Sequence, residues 1–231
     1  SVEDNSQTIS KADVMSFYPL SSAQKRIYFT INMEPDTVTY NTPGALLFNK
    51  HPDAKKLEKC FNILLNRHCA FRTYFTLNGD EVVQKILPKI DFKLEVTNLD
   101  IKNLENIFES FVKPFDLSKA PLFRAKLYNF KDSTSALFID MHHIICDGES
   151  VDELCALYNG KELSPNTLDY TDYAVWENKN IESNYYDRSK KFWLKQLEGE
   201  LPVLNMPASS VRPTVQSFEG NKIYKTISNN A

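Results

Sequence analysis

The sequence predicts an α/β fold in which helices flank a mixed sheet. Segments with the apolar spacing of amphipathic helices alternate with short segments that have the alternating or continuous apolar character of strands. Of the 231 residues, 42% are hydrophobic and 25% are charged, proportions typical of a globular protein. A chain of this length can bury a substantial core without disulfides or metal ions.

Six segments have helical periodicity. Ser21 or Ser22 can cap the first, Pro52 and Asp53 open the second, and Pro114 ends the third. The second is strongly amphipathic, because its apolar residues recur every three or four positions. The predicted helices are residues 22–31, 53–68, 104–112, 151–158, 170–178 and 185–197.

Seven further segments have the character of strands. Asn78 and Gly79 tolerate positive φ at both positions of a type I′ turn, so the strands on either side of them are predicted to form a hairpin. The predicted strands are residues 45–48, 71–77, 81–86, 92–96, 122–130, 136–141 and 218–227.

The regular pattern lies between two less regular ends. Residues 1–15 are polar and aperiodic, which indicates a tail or a linker. Residues 16–200 carry the alternation of helices and strands, and residues 201–231 form a proline-rich connector followed by the last predicted strand. That strand has no visible pairing partner, so we expect the chain to be one part of a larger fold.

Charge and composition argue against several classes of function. The net charge of -3 and the pI near 5.9 leave no positive field that would attract nucleic acid or anionic lipid. No apolar run approaches the ~20 residues that cross a bilayer, and no Gly-rich phosphate loop is present. The four cysteines lack the spacing of a metal or redox motif. We therefore expect free thiols, no metal and a cytoplasmic location.

The densest cluster of reactive side chains follows the predicted strand 136–141. It contains His142, His143, Cys146 and Asp147, followed by Gly148 and a predicted helix. The junction of a strand and a helix is where α/β folds expose backbone and reactive groups on a rigid support. The position of the cluster favours a functional site.

Three chemistries compete for this cluster. Adjacent strand residues point to opposite faces, so His142 and His143 do not readily bind one metal ion. A Cys146 nucleophile needs a base within hydrogen-bond reach, and such groups normally come from distant segments. General acid–base catalysis needs only one imidazole in a cavity while the other faces the core. The structural alternative is that both histidines are buried and that Asp147 and Gly148 form a turn and a helix cap.

A second cluster spans residues 67–73, at a helix end and the start of a strand. Arg67 suits the negative end of a helix dipole. Arg72 opens an alternating strand, and if it is partly buried it needs a carboxylate partner, for which Asp147 is a candidate. An exposed Arg72 without that partner fits the sequence equally well.

Four stretches in order resemble the motifs of condensation domains of nonribosomal peptide synthetases, which belong to the chloramphenicol acetyltransferase-like superfamily. Residues 21–26 (SSAQKR) resemble the first motif, and residues 67–75 (RHCAFRTYF) resemble the second, RHxxxRTxF. Residues 142–148 (HHIICDG) have the HHxxxDG form of the active-site motif, and residues 170–176 (YTDYAVW) resemble the fourth, YxDYAxW. HHxxxDG alone would admit other acyltransferases, whereas four motifs in order are much more specific.

The resemblance implies amide-bond formation between a donor acyl or peptidyl thioester and an acceptor aminoacyl thioester. Each substrate would arrive on the phosphopantetheine arm of a carrier domain, with no cofactor bound directly. His143 would be catalytic, taking the ammonium proton or hydrogen-bonding the attacking amine. His142 would face inward, Asp147 would hold the loop through an ion pair with Arg72, and backbone N–H groups near Gly148 could stabilise a developing oxyanion.

The resemblance covers nearly all of residues 17–227 and identifies the chain as an N-terminal lobe. Residues 201–231 would lead toward a missing C-terminal lobe, which together with neighbouring synthetase domains and both carrier domains would be a partner. Two features depart from the family pattern, namely Glu149 in place of a bulky or aliphatic residue and a helix at 151–158 that is about one turn short. We expect the isolated chain to have little or no activity and to expose an apolar face.

Several other functions remain compatible with the sequence. The chain could be an acyltransferase that uses a soluble thioester such as acyl-CoA, an epimerisation domain, or a non-catalytic carrier-docking module whose histidines are vestigial. His142 argues against a cyclisation domain, in which Asp replaces the first histidine of the motif. The first motif is closer to the D-to-L or dual condensation type, and the cytoplasm of a bacterium is the expected location.

Overall fold

The computed structural model describes residues 8–100, 104–203 and 214. The chain divides into two compact units, Ser1–Tyr186 and Asp187–Ala231. The first unit holds five α-helices and seven strands within its described residues, and the described part of the second holds one helix, α6, at Asp187–Gln196. The predicted strand at residues 218–227 lies outside the described residues.

The helices of the first unit agree with the predicted ones to within a few residues at each end. Two short 3₁₀ helices, Cys69–Arg72 and Gly148–Val151, lie before the hairpin and before the fourth α-helix. No helix of the described residues is long and apolar enough to cross a membrane. The five α-helices are α1 (Ser22–Met33), α2 (Ala54–Arg67), α3 (Leu104–Phe111), α4 (Asp152–Tyr158) and α5 (Tyr170–Ile181).

The strands form two sheets. The strands are β1 (Tyr18–Pro19), β2 (Asn41–Phe48), β3 (Thr73–Asn78), β4 (Glu81–Ile86), β5 (Glu95–Leu99), β6 (Phe123–Phe130) and β7 (Ser135–His142). The first sheet has the order β1-β4-β3 and is antiparallel, and the second, here called the central sheet, has the order β2-β7-β6-β5. The central sheet is mixed, because β5 and β6 are parallel while the other two strand pairs are antiparallel.

The two faces of the central sheet contribute to different hydrophobic clusters. Leu137, Ile139 and Met141 of β7 belong to the main cluster, together with the buried face of α2. Phe138, which points to the opposite face, packs in a smaller cluster that includes residues of α3. Every residue of β7 is buried, so the strand that ends in the histidine pair is held from both sides.

Two strands begin three or more residues away from their predicted start, whereas the other predicted strands within the described residues begin within two residues of it. β2 starts at Asn41 rather than Ala45 and includes Pro43, which is tolerated because β2 pairs on one side only, with β7. β5 starts at Glu95 rather than Phe92, because the backbone before it is bound by side chains of α2. The amide of Asn62 bonds both the N–H and the carbonyl of Phe92 at 3.0 and 2.9 Å.

The predicted hairpin is formed by β3 and β4, with a different turn. Asn78 pairs with Glu81, so Gly79 and Asp80 form the two-residue loop. Gly79 has a φ of 64°, and Asn78 is not among the residues with positive φ. The sequence therefore predicted the hairpin correctly but placed its two loop residues one position too early. In the observed loop only Gly79 has a positive φ, so a single position uses the conformational freedom of glycine.

The end of the predicted N-terminal tail contacts α5. The backbone N–H of Ala12 donates to Asp172 at 2.9 Å, and the ammonium of Lys11 lies 3.1 Å from Asp169 and 3.4 Å from Asp172. Asp169 and Asp172 also form the capping box of α5. The N-terminal segment is therefore tied to the N-cap of α5, since Lys11 and Asp169 are 158 positions apart in the chain.

Candidate active site

The histidine pair lies at the end of β7, where the strand runs into a turn. His142 is the last residue of the strand, and the turn continues through residues 143–145 to the 3₁₀ helix at Gly148–Val151. The backbone N–H of Ile145 donates to the carbonyl of His142 at 3.0 Å and closes the turn. A rigid central strand therefore presents this turn at one end of the sheet.

His143 is the exposed histidine of the pair. Its backbone N–H donates to the carbonyl of Tyr40 at 2.8 Å, and its Nδ1 lies 2.8 Å from the carbonyl oxygen of Cys146. A carbonyl oxygen can only accept, so Nδ1 carries the proton in this contact and Nε2 of the neutral ring keeps its lone pair. The turn thus presents Nε2 as a hydrogen-bond acceptor or base.

His142 is 1% exposed and has the opposite tautomer. The backbone N–H of Ile144 donates to its Nδ1 at 3.2 Å, so the proton of the neutral ring is on Nε2. Burial and, to a smaller extent, the neighbouring His143 lower the pKa of His142 to about 4. His142 is therefore neutral near pH 7, and it fixes the turn from the inside while His143 faces outward.

Cys146 is not arranged as a nucleophile. Its Sγ donates to the carbonyl of His142 at 3.4 Å, and burial raises the pKa of the thiol to about 12. A thiol with that pKa is protonated at neutral pH, whereas nucleophilic cysteines have lowered pKa values. Within the described residues, no three side chains of His, Cys, Asp or Glu are grouped so that they could hold a metal ion.

The structure corrects the ion pair suggested for Arg72 and Asp147. Among the described residues, no ion pair includes Arg72. The guanidinium of Arg72 donates from Nε to the carbonyl of Leu65 at 2.8 Å and from Nη1 to the carbonyls of Leu87 and Pro88. These acceptors include a carbonyl in the last turn of α2, where intrahelical partners run out. Arg72 therefore joins α2 to the end of β4.

The carboxylate of Asp147 contacts the 3₁₀ helix that follows it. The hydroxyl of Ser150 donates to Oδ1 of Asp147 at 3.2 Å and accepts from the backbone N–H of Asp147 at 3.1 Å. Gly148 has ample space, because an added Cβ would meet no atom within 4 Å.

Glu153 is a site neighbour that the sequence analysis missed. Its Oε2 lies 2.6 Å from Nε2 of His68 and 3.6 Å from Nε of Arg67. The contact joins the end of α2 to the start of α4. Beside it lies a cavity of about 380 Å³ lined by His68, Ala70, Phe71, Ile145, Asp147, Ser150, Asp152 and Glu153.

The sequence analysis also missed Asp140, which lies on the face of the central sheet opposite the main hydrophobic cluster. Asp140 is fully buried two residues before His142, and its Oδ2 accepts a hydrogen bond from the amide of Asn41 at 2.8 Å. Arg124 of β6 is the cross-strand partner of Asp140. Its Nε lies 3.8 Å from Oδ2 of Asp140, and its guanidinium lies over the ring of Phe115. Burial raises the pKa of Asp140. An acidic residue inside an otherwise apolar strand was the signal available in the sequence.

The first and fourth motifs contact each other. The hydroxyl of Ser21, which caps α1, lies 2.9 Å from the hydroxyl of Tyr170, and the backbone N–H of Ser22 donates to Glu177 of α5 at 2.6 Å. These contacts fix the N-terminus of α1 against α5. The second motif spans the end of α2 and the start of β3, and the third follows β7, so all four motifs lie where elements join.

The fold and the histidine turn together define a lobe of the chloramphenicol acetyltransferase-like class, as the sequence predicted. The family model described as the condensation domain matches residues 14–231. The chain belongs to the condensation-domain family.

Curated relatives are large synthases. The chain is 39% identical over 220 residues to bacitracin synthase 3 of Bacillus licheniformis, covering 94% of this chain and 4% of that protein. It is 40% identical over 220 residues to surfactin synthase subunit 1 of Bacillus subtilis (strain 168), covering 94% and 6%. For tyrocidine synthase 2 of Brevibacillus parabrevis the identity is 36% over 219 residues, covering 93% and 6%. The chain thus spans less than a tenth of each of these relatives.

Solved structures share the fold. The crystal structure of the X-domain from teicoplanin biosynthesis superposes with a TM-score of 0.75 at 23% identity, covering 90% of this chain and 49% of that chain. The condensation domain from Monacolin K polyketide synthase MokA gives a TM-score of 0.72 at 20% identity, covering 84% and 45%. The superposed chains are therefore about twice as long as the region they share with this one.

Proposed function

We propose that this chain supplies the catalytic histidine for amide-bond formation between two thioester-bound substrates. The observation that carries the proposal is the geometry of His143, an exposed imidazole whose Nδ1 is bound by the carbonyl of Cys146 and whose Nε2 keeps its lone pair. Membership of the condensation-domain family and the likeness to bacitracin, surfactin and tyrocidine synthases support this chemistry.

In the proposed reaction, the acceptor amine attacks the carbonyl carbon of the donor thioester. The C–N bond forms, the C–S bond breaks, and the proton lost by the amine ends on the released thiol. Nε2 of His143 either takes a proton from the acceptor ammonium or accepts a hydrogen bond from the attacking amine. In both cases the carbonyl of Cys146 keeps the ring in the required tautomer and stabilises a ring that has gained a proton.

The other predicted site residues are proposed to support the turn. His142 holds the backbone N–H of Ile144 from the buried side, and Asp147 positions the start of the 3₁₀ helix through Ser150. Arg72 would act at a distance, by holding α2 to the end of β4. Backbone N–H groups near Gly148 are proposed to face the developing oxyanion.

We further propose that both substrates are carried by phosphopantetheine arms of carrier domains, a donor carrier and an acceptor carrier. No cofactor would be bound by the chain itself, and no nucleic acid or membrane would be a partner. The place of action would be the cytoplasm, with which the free thiols of Cys60 and Cys69 are consistent.

The site is proposed to be completed by a second lobe and by neighbouring synthetase domains. The support is that the superposed solved chains are about twice as long as the matched region. An imidazole open to water needs further walls to exclude water from the thioester. We expect the isolated chain to have little or no condensation activity, which a side-by-side turnover assay with a two-lobe protein would test. Comparable rates would contradict this part of the proposal.

The function is tested by supplying the two-lobe protein with different donors. With preloaded donor and acceptor carriers, we expect amide product to form in a single turnover. With a free acyl-CoA donor and a soluble amine, we expect at least about tenfold slower product formation, because tethering supplies the proximity. Faster reaction with acyl-CoA would indicate a soluble-thioester acyltransferase. Inverted stereochemistry without amide formation would indicate epimerisation, and carrier binding without any reaction would indicate a docking module.

A further inference from the structure

Gln24 is a buried polar residue for which the proposed function has no role. It lies in the first turn of α1 and is 3% exposed, although glutamine side chains usually face water. A buried amide has two donors and one acceptor oxygen to satisfy, so its contacts indicate what the residue does.

The orientation of the Gln24 amide is set by its neighbours. Its Oε1 lies 3.0 Å from the backbone N–H of Ser21, which can only donate, so Oε1 faces Ser21. Nε2 therefore faces two acceptors, Oε1 of Gln84 at 3.3 Å and the backbone carbonyl of Ile144 at 3.4 Å. Gln84 is itself fixed, because its Nε2 donates to the carbonyl of Pro19 at 2.8 Å. Both amides therefore have a single consistent orientation.

The carbonyl that Gln24 reaches belongs to the turn at residues 143–145, which carries His143. Ile144 directly follows His143 and is buried. Its N–H donates to Nδ1 of His142 at 3.2 Å, and its carbonyl accepts from Gln24. The two peptide groups that flank Ile144 are thus held by two different side chains, one from inside the strand and one from α1.

We infer that Gln24 is a positioning residue for His143, acting through the carbonyl of Ile144. Gln24 connects three parts of the molecule, namely the cap of α1, the hairpin through Gln84, and the turn at the end of β7. Because Nε2 of His143 must reach an amine within hydrogen-bond distance, a shift of the turn by about 1 Å would lower the rate without changing substrate binding. This inference rests on the proposed function for its effect on rate, and on the contacts alone for its effect on the turn.

Gln24→Glu tests the Nε2 contacts separately from the helix cap. A glutamate at this position keeps the oxygen that accepts from Ser21 and satisfies the capping box equally well. It replaces the donor by an oxygen that faces the carbonyl of Ile144 and Oε1 of Gln84. The matched control is Ser21→Ala, which removes the side-chain cap of α1 and leaves the Nε2 contacts of Gln24 in place.

The measurement is single-turnover amide formation by the two-lobe protein, with preloaded carriers and varied acceptor carrier. For Gln24→Glu we expect the maximal rate to fall about tenfold and the half-saturating acceptor concentration to stay within about twofold. For Ser21→Ala we expect less than a threefold fall in rate. Equal losses in both variants, or an unchanged rate in folded Gln24→Glu, would overturn the inference.

A second readout does not depend on the reaction. In ¹⁵N-histidine NMR spectra, the His143 ring signals are expected to shift in Gln24→Glu and to stay in place in Ser21→Ala. If Gln24→Glu does not fold, Gln84→Met removes one of the two acceptors of Gln24 Nε2, and we expect a smaller change in the same signals. Unmoved His143 signals would overturn the inference. A wild-type protein that forms no amide, with His143 signals that do respond, would instead refute the proposed function.

Discussion

Nδ1 of His143 lies 2.8 Å from the backbone carbonyl oxygen of Cys146, three residues further along the chain. This contact sets the tautomer of an exposed imidazole without using a carboxylate. The turn just before Cys146 is closed by the hydrogen bond from Ile145 to His142, and the N–H of His143 ties it to the carbonyl of Tyr40. The backbone of the HHxxxDG motif therefore orients its own second histidine.

The first prediction concerns this tautomer. When His143 is neutral, we expect its proton on Nδ1, because only a protonated Nδ1 can donate to the carbonyl of Cys146. His142 should have its proton on Nε2, because its Nδ1 accepts from Ile144. Long-range ¹H–¹⁵N correlation spectra distinguish the two tautomers. Spectra in which both rings show the same tautomer would contradict the geometry described for the turn.

The second prediction concerns the pH dependence of stability. The pKa of His142 is about 4 in the folded chain, against about 6.5 in an unfolded chain. Between these values the unfolded chain binds the additional proton, so stability falls as the pH decreases from about 6.5 to 4. The contribution of this one group is about 3 kcal/mol.

Urea unfolding at several pH values measures this effect. His142→Asn is the matched variant, because its side-chain oxygen can still accept from Ile144 and does not titrate. We expect the variant to have a flatter dependence of unfolding free energy on pH between 6.5 and 4. Identical slopes for the two proteins would show that His142 is not held neutral by burial.

The third prediction separates Arg72 from Asp147. Arg72→Ala removes donors to the carbonyls of Leu65, Leu87 and Pro88 and is expected to cost about 2 kcal/mol of stability. In a double-mutant cycle with Asp147→Asn, the coupling energy should be below about 0.5 kcal/mol, since the two side chains form no ion pair. A coupling energy above about 1 kcal/mol would restore the ion pair that the sequence suggested.

The local features of this fold were predictable from the sequence. The amphipathic face of α2, the hairpin of β3 and β4, and the apolar strand before His142 each depend on a period that can be counted along the chain. The predicted start of β5 was wrong by three residues. The backbone of Phe92 is hydrogen-bonded by the side chain of Asn62, which lies 30 positions earlier in the chain.

Contacts between distant segments were harder to predict. Charge alone suggested Asp147 as the partner of Arg72, yet backbone carbonyls at the end of a helix satisfy a guanidinium equally well. Asn41 and Asp140 meet because β2 pairs with β7, a register that neither segment specifies by itself. The histidine pair was recognisable as a site, but the tautomers of its two rings follow only from the turn geometry.

The role of His143 is tested most directly by measuring the rate of amide formation after its imidazole is removed. In the two-lobe protein with preloaded carriers, His143→Ala should lower the single-turnover rate by about a hundredfold or more. The matched control is His51→Ala, because His51 contacts Ser135 at the opposite end of β7, and it should change the rate less than about threefold. A rate within threefold of wild type for His143→Ala would contradict the assignment of His143 to proton transfer or amine positioning.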